Sequence, residues 1–327
     1  MRAIERIWYG AGALAWPLLP LAALFWLVVT ARRAAYRHGL IASHRLPAPV
    51  IVVGNLTVGG TGKTPLVIWL ARHLAARGWR PGVVSRGYGA QVAGPAPVTP
   101  DTDARLVGDE PVLVALRAGC PVAVDRDRVR GGRWLIEQAG CDVVISDDGL
   151  QHFRLARDLE VCVVDGARRF GNGFLLPAGP LREGRARLRR VDLVVTNGAP
   201  LPGEHAMTML PGDLYALGDP GRREPFAAWR GRAVVALAGI GHPARFFRML
   251  EDAGMAVEGR AFPDHHPYAP ADIAPPRDGR PVLMTEKDAV KCREFAGTAH
   301  WVVPVEAVPD PSFVARLDAR LQELAHG

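Results

Sequence analysis

The stretch Val50-Ile-Val-Val-Gly-Asn-Leu-Thr-Val-Gly-Gly-Thr-Gly-Lys-Thr-Pro65 sets the strongest limit on what this chain can become. Val50 to Val53 form a β-branched run that reads as a buried strand. Glycines then crowd together, and Leu66 to Ala76 shows helical spacing. A strand, a glycine-rich loop, Lys-Thr and a helix are the parts of a phosphate-binding loop. Glycines let backbone N–H groups turn inward around an anion, and the next helix adds the positive end of its dipole. Lys63 would reach the β- and γ-phosphates and the Thr64 hydroxyl would ligate Mg²⁺. The usual spacing puts the first glycine at position 57, where this chain has Thr57. Gly59, Gly60 and Gly62 supply the flexibility instead. The expected nucleotide-binding residues are thus Thr57, Gly59, Gly60, Thr61, Gly62, Lys63, Thr64 and Pro65. Lys63, Lys287 and Lys291 are the only lysines among 40 basic residues, which argues that the loop needs a compact ammonium rather than a guanidinium.

At 327 residues the chain has room for two ordinary domains. Its +7 charge suits nucleic acid, an anionic membrane or a phosphorylated substrate. The basic residues do not interleave with aromatics as in a single-strand groove, so nucleic acid is not an expected partner. Nothing in the sequence points to an obligate protein partner. The four cysteines form no C-x-x-C pair and fit a reducing compartment.

Residues 11–29 carry no charge, and such a helix would span about 28 Å, close to the hydrocarbon thickness of a bilayer. Arg32, Arg33 and Arg37 follow at once, which places the downstream body in the cytoplasm. Pro17 and Pro20 would kink the helix and allow a shallow, one-leaflet insertion, and span versus insertion stays open. Further along, Arg86 and Tyr88 sit between glycines, and two adjacent carboxylates, Asp109 and Glu110, stand behind Gly108. The apolar strand beginning at Cys141 ends in Asp147 and Asp148. Carboxylates there can hold Mg²⁺ opposite Thr64. Asp264, His265 and His266 cluster on a proline-bounded loop. A hydroxyl acceptor needs a base near the γ-phosphate, and the candidates are Asp109, Glu110, His265 and His266.

Strands alternating with helices indicate an α/β fold: a parallel sheet like that of P-loop NTPases, with helices on both faces, plus a second smaller α/β domain and an N-terminal membrane-associated helix. The expected division is a hydrophobic helix over 1–38, a nucleotide-binding domain over 39–197, a Pro- and Gly-rich linker over 198–230 and a smaller domain over 231–327. Ala238-Gly-Ile-Gly241 lacks Lys-Thr and reads as a simple βα turn rather than a second phosphate loop.

The motifs jointly resemble a family. Gly54-Asn through Thr64-Pro65, Ser85-Arg-Gly-Tyr-Gly89, Val107-Gly-Asp-Glu-Pro111, Asp147-Asp-Gly-Leu-Gln-His152, Leu176-Pro-Ala-Gly-Pro-Leu-Arg-Glu183, Ala238-Gly-Ile-Gly241, Phe262-Pro-Asp-His-His266 and Thr285-Glu-Lys-Asp-Ala-Val-Lys291 resemble the tetraacyldisaccharide 4′-kinases, the lipid A 4′-kinases of Gram-negative bacteria. The resemblance covers nearly the whole chain, and the Thr57 departure is shared by that family. It implies transfer of the ATP γ-phosphate to the 4′-hydroxyl of a lipid A disaccharide precursor at the cytoplasmic leaflet of the inner membrane. It also implies two α/β/α domains with the nucleotide between them. By position, Lys63 and Thr64 serve the phosphates and Mg²⁺, and Asp147 and Asp148 support the metal. Asp109 takes the general-base role, assisted by His265, and Glu110, Arg128 and Arg182 face phosphates of ATP or acceptor. The rival from another class is a membrane-recruited regulatory ATPase, although the lysine such proteins carry near the start of the loop is absent, position 58 being Val.

Overall fold

A computed structural model describes residues 3–10 and 12–326. Met1, Arg2, Ala11 and Gly327, which fall inside the expected helix and C-terminal domain, lie outside the described residues. The strands run in chain order β1 Val50–Gly54, β2 Pro81–Ser85, β3 Ala96–Val98, β4 Val122–Val124, β5 Val143–Asp147, β6 Leu159–Asp165, β7 Leu193–Asn197, β8 His205–Pro211, β9 Leu214–Ala216, β10 Asp219–Glu224, β11 Ala233–Ala238, β12 Ala256–Ala261, β13 Val282–Thr285, β14 His300–Val303 and β15 Val305–Pro309.

All residues of β1 are buried, as a central parallel strand covered on both faces requires. Ile51 and Val53 point into one apolar cluster with Leu66, Leu70 and Leu74 of the helix Lys63–Ala76. Val50 and Val52 point the other way, into a cluster with Leu135 of the helix Arg128–Glu137. Each of those buried leucines contributes about 1.5–3 kcal/mol relative to exposure. The nine-stranded sheet has the order β15-β8-β7-β6-β1-β5-β2-β4-β3. The chain winds outward from β1 through β2, then returns by β5 and crosses to β6 on the other side. That reversal opens a crevice at the carboxyl ends of β1 and β5, where ligands of such sheets bind.

The second sheet has the order β10-β9-β14-β13-β11-β12, with β12, β11, β13 and β14 parallel and β9 antiparallel to both of its neighbours, β14 and β10. Two expectations fail here. Residues 198–230, expected as a linker, carry β8, which joins the first sheet, and β9 and β10, which join the second. Every residue of β10 but Glu224 is exposed, so no apolar alternation marked it as a strand. The tail was expected in the smaller domain, yet β15 pairs with β8, and Phe313, Leu317 and Leu321 share a cluster with Ile51. The chain therefore enters the second sheet after β8 and returns to the first at β15.

At the N-terminus a 3-10 turn over Gly12–Leu18 contains Pro17 and leads into the helix Leu19–Arg37. The most apolar 18-residue stretch within Leu14–Arg37 has a mean hydropathy of 2.0, and only 11% of it is buried. Ala22, Phe25, Val29, Arg33 and Tyr36 recur on the side less exposed to solvent. Leu21, Leu24, Trp26, Leu27 and Val28 are more than half exposed. Both ends of the segment touch the body. Trp8 donates its indole N–H to the Pro177 carbonyl at 2.9 Å, Ala15 and Ala22 pack on Ala178, and Tyr36 meets the Phe153 ring.

Candidate functional site

The phosphate loop joins β1 to the helix Lys63–Ala76. Gly62 lies at φ 96°, and an added Cβ would come within 2.6 Å of Met209 and 2.8 Å of the Asn197 amide, so only glycine fits. Gly59 also lies at positive φ, whereas Thr57 does not; Thr57 is buried and bridges to Leu181 as a strand residue would. The variant loop thus needs no glycine at 57. Asn55 Nδ2 donates to the Gly59 carbonyl at 3.4 Å and to Thr61 Oγ1 at 3.3 Å. Asn197 Nδ2 donates to the Thr61 carbonyl at 3.2 Å, and Arg168 Nη2 to the Gly60 carbonyl at 2.7 Å. With carbonyls held outward by these donors, the loop's N–H groups remain available to an anion. Lys63, Thr64 and Pro65 occupy the first helical turn, where a proline costs no hydrogen bond.

Beside the loop, Lys63 Nζ lies 3.6 Å from Asp148 Oδ1. Asp148 sits at φ 48°, a conformation uncommon outside glycine, and Arg182 Nη1 binds both its carboxylate oxygens at 2.9 and 2.8 Å. Arg128, expected to meet a phosphate, is instead buried behind the aspartates. Its Nη2 donates to the main-chain carbonyls of Asp147 and Asp148 at 3.0 and 3.1 Å, because those carbonyls end β5 with no further strand to pair them. Arg182, expected on phosphate as well, is spent on Asp148.

Asp147 is buried, and both its carboxylate oxygens lack a hydrogen-bond partner. Burial, reinforced by Glu110 and Asp148, pushes its carboxyl well above the usual range. Asp148 goes the other way: burial would raise it, but Lys63 and Arg182 hold it low. An unpartnered buried carboxylate beside a second acid is what a cation would satisfy. Among the described residues no three His, Cys, Asp or Glu side chains gather to hold a metal by themselves. A metal here would need the Thr64 hydroxyl and phosphate oxygens to complete its shell.

The second cluster spans both sheets. Asp109 opens the helix Asp109–Ala118, directly after Gly108 at φ 94°. His265 reaches it from the loop after β12, with Nδ1 3.0 and 3.1 Å from the two Asp109 oxygens. His265 is held at φ 60° and its ring stacks on Tyr88 at 5.0 Å. His266 instead hydrogen-bonds Asp272 and stacks on Phe262, so it is His265 that meets Asp109. Lys291 Nζ lies 3.4 Å from Asp109, and Lys287 Nζ bridges Glu110 at 2.8 Å and Asp264 at 3.1 Å. Burial would raise the Asp109 carboxyl, but the His265 hydrogen bond and both lysines hold it well below the usual range. The same hydrogen bond lifts His265 above its ordinary 6.5 against the opposing effects of burial and Lys287.

Of the expected site residues, the structure brings Lys63 beside Asp148 and Asp109 against His265, while Glu110 pairs with Lys287, Arg128 with two main-chain carbonyls and Arg182 with Asp148. Lys287 and Lys291 were missed as site members, although their rarity in an arginine-rich chain was a signal. The seam of Asp165, Arg168 and Arg245 left no signal. Arg168 Nη1 donates to the Gly241 carbonyl at 3.1 Å, and Arg245 Nη2 reaches Asp165 at 2.6 Å. Gly241 is more than a turn residue: an added Cβ would come within 2.6 Å of the Gly60 nitrogen. Gly241 also lines a cleft of about 610 Å³ bordered by Tyr9, Arg168, Ile240, Phe247, Phe262 and Asp264, which runs to the N-terminal segment.

Residues 14–322 match the family described as tetraacyldisaccharide-1-P 4′-kinase. The chain is 50% identical over 323 residues to a protein of Nitrosococcus oceani named tetraacyldisaccharide 4′-kinase, covering 98% of this chain and 95% of that one. It is 53% identical over 313 residues to the protein of the same name from Alkalilimnicola ehrlichii, covering 94% and 92%. Among solved structures it is similar to LpxK from Aquifex aeolicus in complex with ATP, with a TM-score of 0.78, 30% identity, and coverage of 95% of this chain and 99% of that one.

Proposed function

The chain belongs to the tetraacyldisaccharide-1-P 4′-kinase family and is a kinase acting on a hydroxyl group, and from that premise we propose that it transfers the γ-phosphate of ATP to the 4′-hydroxyl of a tetraacyldisaccharide 1-phosphate. The observation that carries this reading is the contact of Asp109 with His265 across the two sheets, on the side where Gly60 meets Gly241. A proton acceptor and an anion cradle then share one cleft.

In this reading the loop from Gly59 to Thr64 holds the phosphates with its N–H groups and the Lys63 ammonium. Thr64 and Asp147, with Asp148 alongside, would hold Mg²⁺, which would neutralise charge on the phosphates. Glu110 fixes Lys287 beside the Asp109 pair. The sequence assigned the proton to Asp109 with His265 assisting. The charges favour the opposite split. Asp109, held low by three cationic partners, orients the imidazole through Nδ1, and His265 Nε2 accepts the hydroxyl proton. Turnover should then fall as pH drops through the raised His265 value, because the protonated ring has no free acceptor.

The exposed apolar stripe of Leu19–Arg37, with both ends of the segment against the body, supports insertion in one leaflet rather than a full span. The three arginines after it support the cytoplasmic face of the inner membrane. The 610 Å³ cleft, bordered by Tyr9 of the N-terminal segment, is where a lipid-borne sugar would enter. The test is to incubate the full chain with ATP and a tetraacyldisaccharide 1-phosphate. A product one phosphate heavier supports the reading, and ATP consumption that ignores the lipid overturns it.

A further inference from the structure

A second cleft, of about 550 Å³, opens at the carboxyl end of the helix Leu19–Arg37. Arg33 and Arg37 line it from that helix, and Arg187 and Arg190 from the 3-10 turn Arg185–Arg190. It lies beside Asp158 and Asp192, at the amino-terminal ends of β6 and β7. The phosphate loop faces the other ends of those strands, roughly 20 Å away at about 3.3 Å per residue. The cleft is therefore separate from the nucleotide site.

Its acids are already taken. Asp158 pairs with Arg45 at 2.6 Å, Asp192 with Arg320 at 3.2 Å, and Glu160 with Arg157 at 2.9 Å and with Arg187. Among the described residues Arg33 has only Glu183 as a carboxylate partner, at 3.9 Å. Among the described residues neither Arg37 nor Arg190 has a carboxylate partner within salt-bridge distance. Burial first, then the neighbouring Arg190, pull the Arg33 guanidinium below its ordinary value, against the opposing effect of Glu183. Leu40, 81% exposed, and Ile41, 42% exposed, follow Arg37 in the turn that closes the helix, where both main-chain N–H groups donate to the Ala35 carbonyl. Guanidinium groups beside unpartnered apolar side chains match a phosphodiester that carries acyl tails.

We propose that this cleft seats the phosphate of an anionic phospholipid, with acyl chains along Leu40, Ile41 and the outer side of the helix. The proposal rests on the one-leaflet reading above, and vesicle binding separates the two. The full chain is sedimented with phosphatidylcholine vesicles and with the same lipid mixed with phosphatidylglycerol. The expected result is binding to both, tighter with phosphatidylglycerol, and a loss of about fivefold of that preference for each arginine removed in Arg37→Ala/Arg190→Ala. Phosphatidylcholine binding and turnover in detergent should be unchanged, which shows that the variant folds. The pair Arg222→Ala/Arg277→Ala removes equal charge from exposed sites in the second sheet's half and should keep the preference. Equal loss in both pairs, or equal binding of the parent chain to both vesicles, overturns the proposal while leaving the membrane reading intact. No binding to either vesicle overturns both.

Discussion

The loop from Gly59 to Thr64 and the Asp109–His265 pair are built in opposite ways. The cradle comes from contiguous residues at the end of β1 and is shaped by backbone. Gly59 and Gly62 adopt positive φ, and Asn55, Asn197 and Arg168 hold its carbonyls. The Asp109–His265 pair joins residues 156 apart in sequence and is shaped by charge, with Lys287 and Lys291 arriving from the second sheet's half. A backbone cradle binds any phosphate chain that fits. A pair assembled from two sheets exists only while those sheets are docked, so binding and chemistry should separate under mutation.

The largest effect should come from Asp109→Asn. Turnover is expected to fall by about 10²–10⁴ with ATP affinity little changed, measured by single-turnover assay and calorimetry. The acid limb of the pH profile should also move to lower pH. Without the Asp109 hydrogen bond, burial and Lys287 are left to pull His265 down. An unmoved limb would remove His265 from the proton path. Next is Lys63→Ala, with a loss of about 10²–10³ in turnover and, unlike Asp109→Asn, weaker ATP binding as well. If the two variants behaved alike, the cradle and the pair would be one functional unit and the contrast would fail.

Gly241→Ala probes the seam. Its methyl would press on the Gly60 nitrogen, and such overpacking costs about 1–3 kcal/mol, readable as a lower Tm. It should impair turnover more than ATP binding, since it shifts the second half against the first. The smallest effect belongs to His266→Ala, under tenfold in turnover, because that ring is engaged with Asp272 and Phe262. A collapse there comparable to Asp109→Asn would show that the neighbouring histidine had been misassigned.

The nucleotide loop was legible because its physics is local: a β-branched run, glycines, Lys-Thr and a helix need no distant partner to be recognised. Asp147 and Asp148 were legible as the end of an apolar strand, and Asp109 and His265 as candidates. What stayed hidden depended on neighbours. Arg128 and Arg182 look like phosphate ligands by type, yet carbonyls and a carboxylate brought beside them by folding claim both. β10 was read as linker because an exposed arginine-rich edge strand carries no hydrophobic alternation. The return of β15 to the first sheet could not be read from a tail whose amphipathic helix would fit either half.

The order of residues by itself therefore determined the α/β class, the glycine-rich loop between β1 and its helix, and the apolar N-terminal segment, since each follows from spacing along one continuous segment. Tertiary structure alone decided which histidine meets Asp109, where the two remaining lysines place their charge, and that Gly241 touches Gly60. Those outcomes depend on how two sheets dock. Docking is set by packing and charge between segments far apart in the chain, and no local pattern encodes it.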